Sequence, residues 1–165
     1  MLILLSNRLR GAINKMTRWK WEDYRTLEDL KKRLNRLKYK GNTFKIRISG
    51  NNKKPPDIDL SKNLEIFNKC CEIGRGYVIG VTNNVNEIMQ IINQHGVFKD
   101  GIYQKADPIY IHQINIWLQN GRTICLEIIN SKDAQKGYKE YSKENLQIAE
   151  ENLKLMEKQL LELLA

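Results

Sequence analysis

An α+β fold, with a mixed sheet of four to five strands and helices packed on it, follows from three features of the sequence. Short runs rich in β-branched residues occur over 43–49, 77–82 and 109–129. Stretches with apolar residues at helical spacing separate them, and a long one closes the chain. Asn120-Gly121 joins two of the β-rich runs, and this pair favours a tight antiparallel hairpin. The 165 residues, 41% hydrophobic and 28% charged, suit a single domain over 1–165 that buries a core without disulfides.

Each element has its own signal. Leu2 to Leu5 suits an edge strand or the first turn of a helix continuing through Leu9, Ala12, Ile13 and Met16. Aromatic and charged residues then interleave from Arg18 to Arg25. Thr26 is a good N-cap, with Glu28 and Asp29 in the first turn, where the helix dipole favours anions. The predicted helix keeps Leu27, Leu30, Leu34 and Leu37 on one stripe and stops at Gly41. Thr43–Ser49 alternates as a strand, with Phe44, Ile46 and Ile48 opposite Lys45 and Arg47. A helix from Ser61 to before Gly74 is expected to bury Leu64, Phe67 and Cys70 or Cys71. Tyr77–Thr82 reads as a strand. Asn84 with Glu87 resembles a capping box for a helix ended by Gly96. The hairpin over about 109–129 follows, then an amphipathic helix over 142–165. That helix carries Leu146, Ala149, Leu153, Met156, Leu160 and Leu163 at alternating spacings of three and four.

Charge narrows the class of partner. Residues 1–55 hold 16 Lys+Arg and 4 Asp+Glu, while the other 110 hold 12 and 15, a net of +12 against −3. Such asymmetry speaks to partners rather than to fold. Nucleic acid, DNA or RNA, is the commonest polyanion for such a chain; an acidic protein or a membrane surface satisfies the same arithmetic. No apolar run approaches the roughly 18 residues of a membrane span. The opening apolar run is too short for a signal-peptide core. Three cysteines without a Cys-x-x-Cys make no disulfide framework. A cytoplasmic setting is therefore expected, with no cofactor and no membrane partner.

The expected nucleic-acid contacts are Arg18, Lys20, Arg25, Lys31, Lys32, Arg33, Arg36, Lys38, Lys45, Arg47, Lys53 and Lys54. Each cation that meets a phosphate releases condensed counterions, and Trp19, Trp21 and Tyr24 offer stacking surfaces if exposed. A strand, not a second helix, follows Gly41, which disfavours a helix-turn-helix. In the stretch Gly74 to Gly80, Gly74 and Gly76 come before a strand, the wrong order for a phosphate loop, and read as turn residues.

A rival reading is a small metal-dependent nuclease built on Glu127 with Asp57 or Asp59. Such chemistry needs two or three carboxylates converging on one cation. A two-residue hairpin loop would set Ile114 opposite Glu127 and place His112 diagonally from it on one face, a base-and-orienter geometry. Against this, Asp57 and Asp59 suit turn formation ahead of Ser61. A third reading is a protein-interaction module, an inhibitor or accessory subunit. It would use residues 146–164, whose extra Ile148, Leu155, Leu161 and Leu164 widen the apolar stripe and suit burial on more than one side or pairing with a second copy.

Overall fold

The computed structural model describes residues 26–52, 57–105, 113–134 and 136–165, with 98–105 described in backbone only. The first helix, α1 (Leu27–Tyr39), starts where Thr26 Oγ1 accepts from Asp29 N at 3.1 Å. It buries Leu30, Leu34 and Leu37. Gly41, at φ +91°, turns the chain into β1 (Asn42–Ser49). There Phe44, Ile46 and Ile48 are fully buried, each contributing roughly 1.5–3 kcal/mol relative to exposure. A 3-10 turn (Leu60–Lys62) precedes α2 (Leu64–Arg75), and β2 (Tyr77–Thr82) follows. The order continues with α3 (Val85–His95), β3 (Val97–Lys105), β4 (Gln113–Leu118), β5 (Thr123–Asn130), the short α4 (Ser131–Ala134) and α5 (Lys143–Leu164).

The five strands form one sheet in the order β2-β1-β5-β4-β3. Every strand pairing in it is antiparallel, where a mixed sheet was expected. The cause is topological. Gly50 N donates to Ile73 O at 3.1 Å, so the excursion through α2 leaves and re-enters at the same end of the sheet. Strands β2 and β3, joined by the α3 crossover, do run the same way, but they occupy opposite edges and never pair.

β3 was not anticipated as a strand. Its pairing with β4 is irregular between Val97 and Ile102, and a break of that kind erases the alternation by which strands are recognised.

Helices cover one face of the sheet. α1, α3 and α5 pack with Phe44, Ile46, Ile48, Ile114, Ile116, Ile124 and Leu126 in one core. A smaller cluster joins Ile66, Cys70 and Ile73 of α2 to Leu160 of α5. Two apolar stripes compete on α2, and this one wins. The expected pair, Leu64 and Phe67, stays 65% and 43% exposed. On α5 the predicted stripe is observed, with Leu146, Ala149, Leu153 and Leu160 buried. Ile148, Leu155 and Leu161, expected to widen that buried surface, are instead exposed.

The hairpin differs from expectation by one residue. Leu118 N donates to Arg122 O at 2.8 Å and Gly121 N to Leu118 O at 3.0 Å, leaving a three-residue loop with Gly121 at φ +85°. Gln113, not Ile114, therefore faces Glu127, while Ile114 pairs with Leu126 and Ile116 with Ile124. Matching apolar residues across the core face fixes this register; the two-residue loop would have set Ile114 against a carboxylate.

Two carboxylates of α5, Glu150 and Glu157, hold this end of the molecule. Glu157 Oε1 accepts from buried Arg122 Nη1 and its Oε2 from Asn51 N, both at 2.9 Å. Glu150 Oε1 lies 2.8 Å from His95 Nε2. Asn120 Nδ2 stands 3.2 Å from His95 Nδ1.

At the opposite edge, Val81 exchanges hydrogen bonds with Lys139 O and Tyr141 N, both at 2.9 Å. This close approach requires Gly80 (φ +130°), where a Cβ would stand 2.4 Å from Tyr141 N.

Candidate nucleic-acid interface

Alternation in β1 and the helical period of α1 divide the expected contacts between two sides of the molecule. On α1, the core stripe turns inward, so the remaining positions face water. Lys31, Lys32, Arg36 and Lys38 are exposed, as is Lys40 just beyond the helix, and Arg33 is half-buried. Lys32, Arg36 and Lys40 follow one another at four-residue steps, which aligns them along one outer ridge about 12 Å long; Lys31 and Lys38 follow a flank. Among the described residues, none of these five exposed cations forms an ion pair. The dipole accounts for part of the pattern, since Arg36 and Lys38 sit in the last turn. It gives no reason for Lys31 and Lys32 near the helix start.

Lys45 and Arg47 lie on the opposite side, on the sheet face away from the helices. Lys45 Nζ is 3.7 Å from Glu127 Oε2 on the neighbouring strand and 5.0 Å from the centre of the Tyr138 ring. Arg47 Nη1 donates to Arg75 O at 2.9 Å. These two cations are separated from α1 by the sheet and its core, and both have partners. Arg18, Lys20, Arg25, Lys53 and Lys54 lie outside the described residues.

The carboxylates do not come together. Asp59 Oδ1 accepts from Ser61 N at 3.0 Å and Ser61 Oγ at 2.6 Å, which holds its carboxyl below the usual range. It is thereby the cap of the 3-10 turn. Asp57 is exposed in the same loop, which leads to the helix side of the sheet, whereas Glu127 is on the other face beside Lys45. His112 lies outside the described residues. Among the described residues, no group of three or more His, Cys, Asp and Glu is placed to hold a metal ion. A polar cleft of about 660 Å³ opens between the start of β1, the N-terminus of α3 and the 131–141 segment, with Glu87 and Glu140 in its lining. Those carboxylates make it inhospitable to phosphate. Burial, with help from Glu87 and Glu150, raises the pKa of Tyr141 on the same wall.

The chain matches no protein-family model, no curated protein and no solved structure. The chemistry must therefore be read from the residues. No helix among the described residues is long and apolar enough to cross a membrane.

One residue escaped the sequence reading. Tyr39 is 93% exposed, one turn beyond Arg36 and directly between Lys38 and Lys40. Its position off the leucine stripe was a usable signal, overshadowed by the tryptophans upstream.

Proposed function

We propose that this chain binds nucleic acid, without chemically altering it, through the outward face of α1. The supporting observation is the set of five exposed cations on and just after one helix, none with a carboxylate partner among the described residues. Unpaired cations of this kind retain their full capacity to displace counterions from phosphates. Arg18, Lys20, Arg25, Lys53 and Lys54 belong to the same proposal as further contacts. Lys45 and Arg47, engaged on the other face, stand outside the primary contact. The test is a binding titration at several salt concentrations. A log–log slope near −0.9 per phosphate contact on duplex DNA, or −0.7 on a single strand, is expected. Affinity independent of salt would refute the reading.

A second reading, a protein-interaction module, draws on the exposed Leu64, Phe67 and Leu161, at 65%, 43% and 68%. Antiparallel packing of α2 on α5, with Lys69 Nζ 2.9 Å from Gln159 Oε1, sets Phe67 and Leu161 at the same level. A stoichiometric protein partner retained after nuclease treatment, or a concentration-dependent dimer in sedimentation, would favour it. The nuclease reading has no supporting geometry here. Incubation with Mg²⁺ or Mn²⁺ and labelled DNA and RNA tests it: cleavage abolished by Glu127→Gln would revive it.

A further inference from the structure

We infer that the nucleic acid met by α1 is a single strand, and that Tyr39 stacks on one of its unpaired bases. This rests on the nucleic-acid reading above and narrows it. Tyr39 is 93% exposed at the last position of α1, and forms no hydrogen bond or ring contact among the described residues. On the helix surface it lies roughly opposite Leu34 and Leu37, so it takes no part in the core. Lone exposed apolar residues are ordinary; this one differs in its surroundings. Arg36 is one turn before it, Lys32 two turns before it on the same side, and Lys38 and Lys40 flank it in sequence.

Two kinds of group thus lie within one helical turn, about 5–6 Å between side-chain roots. The cations suit phosphates, and the phenol ring suits the flat face of a base. A nucleotide presents both at once only when its base is unstacked. In a duplex each base is covered above and below by its neighbours, so α1 would meet phosphates and base edges only and the ring would find no base face to stack on. The cations serve either ligand. The ring serves the single strand.

The experiment is fluorescence anisotropy of the full chain with three labelled probes: an oligothymidine strand, an oligouridine strand and a mixed-sequence duplex. Tyr39→Ala is expected to weaken binding to the strands about tenfold and to the duplex within about twofold, while Tyr39→Phe behaves as the wild type. An abasic strand, which keeps the phosphates and lacks bases, supplies a measurement that needs no variant to fold. Wild type should bind it about tenfold more weakly than the matching strand, and Tyr39→Ala should bind both alike. Equal losses on strand and duplex, or none on the strands, would overturn the assignment of Tyr39. If Lys32→Ala/Arg36→Ala still weakens binding in that case, the nucleic-acid reading survives without it. If neither wild type nor any variant binds any probe, both fall.

Discussion

On α1, Lys32 and Arg36 are exposed and form no ion pair among the described residues, whereas on β1 Lys45 lies 3.7 Å from Glu127 and Arg47 donates to the Arg75 carbonyl. Both pairs come from the same strongly basic stretch of sequence. A helix with one apolar stripe sends its charges around a wide outer arc, away from other elements. A strand sends every second residue to the far face, where the register fixes a neighbour opposite it. Arg122, in the hairpin just ahead of β5, is engaged by a helix instead: it is buried and held by Glu157 of α5. Exposed positive charge is thus left without an ion-pair partner on α1 among the described residues, where we propose that it meets nucleic acid, and is engaged by partners on β1 and in the hairpin. A count along the sequence cannot separate the two.

The contrast makes ordered predictions. Arg122→Ala should produce the largest loss of stability, roughly 3 kcal/mol in urea denaturation, because it removes the charged partner of the half-buried Glu157 carboxylate and leaves it the Asn51 N–H; nucleic-acid affinity should not change. A loss below about 1 kcal/mol would show that Arg122 is not structural in the sense described. Next, Lys32→Ala/Arg36→Ala/Lys40→Ala should lower affinity at least about tenfold and reduce the duplex salt slope by roughly 2–3, with stability within about 0.5 kcal/mol of wild type. Lys45→Ala/Arg47→Ala should leave the slope unchanged. Equal effects of the two sets would erase the distinction between the faces. Smaller still is the coupling of Lys45 to Glu127. A double-mutant cycle with Lys45→Met and Glu127→Gln should give only about 0.2–1 kcal/mol, since Glu127 is well exposed and solvent screens the pair.

Titration of Tyr141 probes an acid in the same way. Burial and two nearby carboxylates raise its pKa above 10.0, so the fold favours the neutral phenol. The stability it contributes is present below the unfolded value and is lost as pH rises through the folded one. Tyr141→Phe should therefore flatten the alkaline decline in melting temperature. An unchanged decline would remove Tyr141 as its source.

Much of this was legible in the sequence because local rules sufficed. The caps at Thr26 and Asn84, the alternation in β1 and the stripe on α5 are all written in neighbouring residues, and each is realised. What escaped depended on distant partners. The choice between Ile66/Cys70/Ile73 and Leu64/Phe67 on α2 is made by Leu160, far along the chain. The hairpin register could have been read from apolar matching, yet the Asn-Gly pair pulled the reading toward a shorter loop. The basic set could be counted along the sequence, but the division of its described members between two faces follows from the sheet, and the partner of Lys45 is supplied by β5.

The approach of residues 139–141 to Val81 has a consequence for solubility. With its margin stitched to its own chain, β2 offers little template there for a stranger's strand, which blunts aggregation from that side. Gly80 permits the stitch. A bulkier residue there would pry it loose, and the harm would show as turbidity in concentrated samples before it showed as a weakened interior.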